Sequence, residues 1–275
     1  MTSFLNRTAE GLFFEVNAKH YWRFEHFGLT GEMNLVPVAG DEPLSVAFLP
    51  AASPEGPASA THPVTPKGVI FYCPAASHNM MFHLPQISWL VASGYHVFMW
   101  DYHGAGKSRG TPSLVGMARD VHIAFEALTQ RLQGNAKNKT LPLYAFGQGL
   151  GACAALELLH QNEHRFAGAI LESLWASYGG WMRHRYGPGI GHLCAKLLPA
   201  GMTDPIEHLK TVTLPVAIVI PTKDRYVPEK ETDRVVREAP SQREIWRAEE
   251  KRYLGVFDYP GPWRERFLAF CEEHR

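Results

Sequence analysis

The pattern with the most chemical content is Gly147-Gln148-Gly149-Leu150-Gly151. An apolar run, Leu141–Phe146, precedes it and an Ala- and Leu-rich run follows, which predicts a strand, a sharp turn and a helix. The spacing G-x-S-x-G at such a turn holds a nucleophilic serine at the top of a parallel sheet. Here the central residue is Gly149, so the turn is expected and the nucleophile is missing. Taken alone, the pattern allows an engineered inactivation, a natural loss of acyl chemistry, or an ordinary strand-to-helix turn. A phosphate loop fits poorly, because no Gly-Lys-Ser/Thr ends the glycine cluster.

The elements around this turn have to position whatever chemistry remains. Gly68–Cys73 is continuously apolar, as in a strand buried on both faces. Met80–Ala92 has helical apolar spacing, Gly94–Trp100 reads as a strand, Asp101–Ser108 as a turn, and Leu114–Leu132 as an amphipathic helix. Phe166–Leu171, Leu214–Ile220 and Arg243–Arg247 are further strands, and Pro262–His274 a closing helix. Strands alternating with helices predict an α/β class with a mostly parallel sheet. Met33–Val38 and Leu44–Leu49 suggest an antiparallel hairpin. Residues 1–30 carry Phe13, Phe14, Tyr21, Trp22, Phe24 and Phe27, and are expected to form a helix or meander packed on the sheet. The other reading of that stretch is an exposed partner-binding arm. Residues 50–67 are rich in Pro, Ala and Ser and are expected to form a mobile loop.

The chain has 275 residues, with 27 Lys+Arg against 27 Asp+Glu, so no global basic field calls for nucleic acid or an anionic membrane. Cys73, Cys153, Cys194 and Cys271 have no paired spacing, which argues against zinc or a redox motif. No signal peptide or membrane-spanning run is evident, and a cytoplasmic location is the expectation.

Asn79-Met80, His83, Trp89-Leu90, Gly94-Tyr95, Asp101-Tyr102, Gly104, Gly106 and Ser108 make the resemblance specific. From about Met33 onward the chain resembles the α/β-hydrolase family, in particular its bacterial lysophospholipase-like or serine-aminopeptidase-like branch. The resemblance implies a single α/β-hydrolase domain over 1–275 with a small cap inserted near 174–204. It implies an elbow reading Phe-Gly-Gln-Ser-Leu-Gly-Gly, where this chain has Gly149 for the serine. It places Asp224, in Pro221-Thr222-Lys223-Asp224-Arg225-Tyr226-Val227-Pro228, at the position of the triad acid. It places Tyr253 where the catalytic histidine belongs, and Pro74-Ala75-Ala76 where the oxyanion loop reads His-Gly-Asn. His184 and His192 fall in the cap; their spacing is wrong for a metal pair, and no metal or cofactor is expected.

Acyl transfer on this fold needs a hydroxyl nucleophile, a histidine, an acid and oxyanion donors. Gly149 has no side chain to acylate, and Tyr253 is a poor base with a pKa near ~10. Three changes at three separate loops fit a natural loss better than an engineered inactivation. The expected function is therefore that of a catalytically degenerate hydrolase that binds a small apolar or anionic ligand, or a partner protein. Leu150, Gln148, Ala75, Ala76 and Ser77 are the expected binding residues, with the Leu150 N–H at the helix start. Two enzymatic alternatives remain. One is altered chemistry using Asp224, Tyr253, His78 or, less readily, Cys153; the other is a displaced serine nucleophile, Ser77 or Ser108.

Overall fold

A computed structural model of the chain describes residues 8–53, 56–57, 64–240 and 243–275. In chain order the strands are β1 (Glu15–Val16), β2 (Glu32–Val36), β3 (Leu44–Leu49), β4 (Ala52–Ser53), β5 (Gly56–Pro57), β6 (Gly68–Cys73), β7 (Ser77–His78), β8 (Tyr95–Trp100), β9 (Leu143–Gln148), β10 (Gly168–Glu172), β11 (Val216–Pro221) and β12 (Glu244–Ala248). The helices are α1 (Leu84–Ala92), α2 (Leu114–Gln133), α3 (Leu150–Asn162), α4 (Tyr178–Tyr186), α5 (His192–Lys196), α6 (Pro205–Thr211), α7 (Glu229–Glu238) and α8 (Pro262–Glu273).

Eight strands form one sheet in the order β12-β11-β10-β9-β6-β8-β3-β2. From β8 to β12 every neighbouring pair is parallel. β3 is antiparallel to β8 and to β2, which gives the expected hairpin. The continuous apolar runs follow from helices on both faces. Along β6, Val69, Phe71 and Cys73 enter the core shared with α2 and α3, while Ile70 and Tyr72 enter the one shared with α1 and α8. That alternation is the period of two of a strand, and both sets are fully buried.

Three regions differ from expectation. The described part of the N-terminal region does not simply lie on the sheet. β1 pairs in parallel with β7, at the end of the loop that follows β6. The chain is pinned there by Glu15 N–H to Ala76 O (2.8 Å) and Asn17 N–H to His78 O (2.9 Å). Phe13 stacks on Trp181 of α4 at 4.7 Å, and only later does Phe24 reach a core on the sheet. Within 50–67, β4 and β5 pair as a short antiparallel ladder. The remainder of the mobility expectation, at 54–55 and 58–63, lies outside the described residues. Helices α6 and α7 had no sequence forecast. α7 has Val235 as its one buried apolar residue, so it carries no readable stripe.

Between β10 and α6 the βα rhythm is interrupted by α4, a short π-helical turn at Gly187–Gly191, and α5. This helical excursion and the N-terminal strap meet where the Tyr186 hydroxyl donates to Leu12 O (3.0 Å). Together they wall the carboxyl end of the sheet, where open α/β sheets place ligands.

Candidate functional site: a cleft beside Gly149 and Tyr253

The turn between β9 and α3 has elbow geometry. Gly149 sits at φ 57°, ψ −121°, a conformation that costs a residue with a side chain about 1–3 kcal/mol. Its N–H bonds Glu172 O (2.9 Å) and its carbonyl accepts from Ala152 N–H (3.0 Å), so the turn is fixed from both sides. Gly151 is required for another reason: a Cβ there would lie 2.0 Å from Cys73 O.

What occupies the serine's space is Tyr253. A Cβ built on Gly149 would meet the Tyr253 hydroxyl at 2.1 Å and its Cζ at 3.0 Å. Gly149 and Tyr253, the two positions the sequence resemblance singles out, thus lie against each other. Tyr253 packs against Tyr226 in a tilted arrangement, with ring centroids 4.6 Å apart. Burial pushes its phenol well above the ordinary pKa, and the nearby Asp224 carboxylate adds to the shift. The hydroxyl is thereby held in its protonated form.

Asp224 lies on the loop after β11. Its Oδ1 accepts from Tyr226 N–H (2.7 Å) and Val227 N–H (3.0 Å), which shapes the turn. Oδ2 is buried and has no hydrogen-bond partner. No histidine is hydrogen-bonded to that oxygen; His184, 3.5 Å from Arg225 O on the Asp224 loop, is the imidazole whose charge acts on Asp224. Burial raises the Asp224 pKa, and the Val227 and Tyr226 N–H donors offset part of the rise.

A cleft of about 190 Å³ opens beside these groups. Tyr253, Leu150, Ala76, Ser77 and His78 line its floor, and Phe13, Trp175, Trp181 and Tyr226 its walls. Leu150 is the first residue of α3, so its amide has no carbonyl partner within the helix. The Tyr253 side chain lines the same cleft and carries a hydroxyl donor. These two donors, in mostly apolar walls, are what the cleft offers an oxygen atom of a ligand. Glu15 of the strap is at the rim, 3.5 Å from Arg185.

Two expected binding residues are placed elsewhere. Gln148 is buried and turned into the core, where it receives the Tyr72 hydroxyl (2.5 Å) and donates to Glu172 Oε2 (2.6 Å). It is the last residue of β9, and its side chain lies in a chain of buried polar groups away from the cleft. Glu172 also accepts from Val256 N–H (3.1 Å), and burial raises its pKa to about 7. Ala75 is buried and does not line the cleft. The strap contribution of Phe13 and Glu15 had no sequence signal, since it depends on a pairing between distant segments.

The alternative nucleophiles are poorly placed. Ser108 is buried, donates to Asp101 O (3.0 Å) and accepts from Ser45 N–H (2.7 Å). Cys153 is buried, which drives its thiol pKa far up, and its Sγ contacts Gly149 O at 3.8 Å. Ser77 reaches the cleft from β7. His78 does too, but its ring is stacked on Phe82 at 4.0 Å and its buried Nδ1 has no partner. His184 and His192 are exposed, and no group of side chains suited to a metal ion occurs among the described residues.

Comparison with known proteins agrees with this architecture. A family described as serine aminopeptidase, S33, matches residues 64–200. The uncharacterized protein YfhR of Escherichia coli O157:H7 is 36% identical over 116 residues, covering 42% of this chain and 39% of that protein. Lysophosphatidylserine lipase ABHD12 of Danio rerio is 30% identical over 153 residues, 50% of this chain and 38% of that protein. These matches thus span well under half of the relatives' own length. Among solved structures, an alpha-beta hydrolase from Vibrio vulnificus superposes with a TM-score of 0.73 at 14% identity, over 98% of this chain and 92% of that one. The Pyrococcus furiosus esterase Pf2001 gives 0.71 at 15% identity, over 94% and 98%. Sheet order, elbow and family match agree: the chain belongs to the α/β-hydrolase superfamily.

Proposed function

We propose that this chain is a non-hydrolytic member of its superfamily that uses the cleft to bind a small apolar ligand bearing a carboxylate or carbonyl oxygen. The observation that carries the reading is the Tyr253 hydroxyl, lodged 2.1 Å from where a serine Cβ would begin. No acyl-enzyme can form on Gly149. Tyr253 holds its proton, and no histidine is hydrogen-bonded to Asp224 Oδ2. The names of relatives such as the lysophosphatidylserine lipase speak for hydrolysis in those proteins. Here Ser108 and Cys153 are committed to the interior, and Ser77, which reaches the cleft, lies on β7 and not at the elbow.

The ligand's apolar part would lie against Phe13, Trp175 and Trp181, and its oxygen would accept from the Tyr253 hydroxyl and the Leu150 N–H. Calorimetric titration with octanoate, with octanol as control, tests this. Octanoate is expected to bind, and Tyr253→Phe to weaken it by roughly tenfold, the worth of one hydrogen bond of about 1 kcal/mol or slightly more. Absence of octanoate binding, together with turnover of p-nitrophenyl octanoate, would overturn the proposal.

A further inference from the structure

From Ser173 to Thr203 the chain contains no Asp or Glu, while it carries Arg183, Arg185, Lys196, His184 and His192. In a chain with equal numbers of acidic and basic residues this is a strong local asymmetry. The stretch is the helical excursion over the cleft. Its outer side bears the two most exposed aliphatic side chains among the described residues, Ile190 at 65% and Leu193 at 61%. They are three residues apart in the helical run from Gly187 to Lys196, so they share a face. Singly exposed apolar residues are common on soluble domains. An exposed apolar pair within a stretch that carries only cationic charge is the composition of a segment that lies in a lipid interface.

The charges are available. Arg183, Lys196 and His192 are exposed, and neither Arg183 nor Lys196 forms an ion pair within 4 Å among the described residues, although Arg183 is near enough to Asp204 to oppose the burial-driven rise of its pKa. Arg185 has only the 3.5 Å contact to the exposed Glu15. The inner side of the excursion is anchored by Trp181 and Met182, both buried, so the outward face is held in place.

We infer that this face docks on the surface of an anionic lipid bilayer, with Ile190 and Leu193 entering the headgroup boundary and Arg183, Arg185 and Lys196 meeting lipid phosphates. No helix of the described residues is long and apolar enough to cross a membrane, so the contact is peripheral. It would bring the mouth of the cleft to the lipid interface.

Two measurements on the full chain test this. In the first, the protein is co-sedimented with phosphatidylcholine vesicles, with and without phosphatidylglycerol. Wild type is expected to bind the phosphatidylglycerol vesicles roughly tenfold or more tightly than phosphatidylcholine alone, and to be released by salt. Arg183→Glu with Lys196→Glu, and separately Ile190→Ser with Leu193→Ser, should each lose that preference or that binding. Lys137→Glu with Lys139→Glu, in the loop before β9, should bind as wild type. The second measurement uses unmutated protein. Cys194 lies in α5 and is the one cysteine that is not buried. A polarity-sensitive thiol dye placed there should shift to the blue on adding phosphatidylglycerol vesicles. Equal binding to both vesicle types, no binding, or full binding by the charge-reversed variant would overturn the inference.

Discussion

Gly149 and Tyr253 lie against each other, so changes at the two positions are expected to be coupled. A serine at Gly149 would need a strained backbone and the space now taken by the tyrosine hydroxyl. Gly149→Ser alone should therefore cost about 2 kcal/mol or more, from elbow strain plus that contact. In a Tyr253→Phe background the cost should fall by about 1 kcal/mol, because the 2.1 Å neighbour is gone. Denaturant unfolding of the four proteins of the cycle measures this. Gly149→Ser should gain little esterase activity, while Gly149→Ser with Tyr253→His should gain some, since triad members act as a unit. A second residue-scale expectation concerns Glu172, whose pKa burial raises to about 7. A carboxyl with a raised folded pKa adds stability at low pH that is lost as pH climbs from its unfolded value through about 7. Glu172→Gln should therefore gain melting temperature relative to wild type between about pH 5 and about pH 8. A pH-independent difference would show that the group does not titrate there.

At the scale of elements, the buried strands were legible because helices on both faces force continuous apolar runs, as in Gly68–Cys73. The elbow was legible because two of its glycines answer to backbone crowding, at Gly147 and Gly151. Gln148 misled, since adjacency to the turn in sequence says nothing about which side of β9 its side chain takes. The strap was hidden for a different reason. β1 is two residues long and pairs with β7 far along the chain, and its aromatic spacing has no strand or helix period. Its importance rests on Phe13, which contacts both Trp181 and Tyr178. Phe13→Ala should destabilise by about 3 kcal/mol or more, measured by denaturant unfolding. It should also weaken octanoate binding, because the cleft loses a wall. Unchanged stability would mean that the strap is an ornament on the fold.

At the scale of the molecule, composition was informative about class and silent about distribution. Equal totals of acidic and basic residues conceal a helical excursion without a single carboxylate. The superfamily's architecture persists in the eight-stranded sheet, the elbow and the cleft beside it; the proposal is that binding, without acyl transfer, is what the cleft does. The most direct test is incubation of the purified chain with a fluorophosphonate probe, followed by intact-mass measurement. The expected result is an unmodified mass under conditions that label an active serine hydrolase completely. A stoichiometric adduct on any serine, Ser77 included, would contradict the claim that the cleft has exchanged its nucleophile for a tyrosine donor.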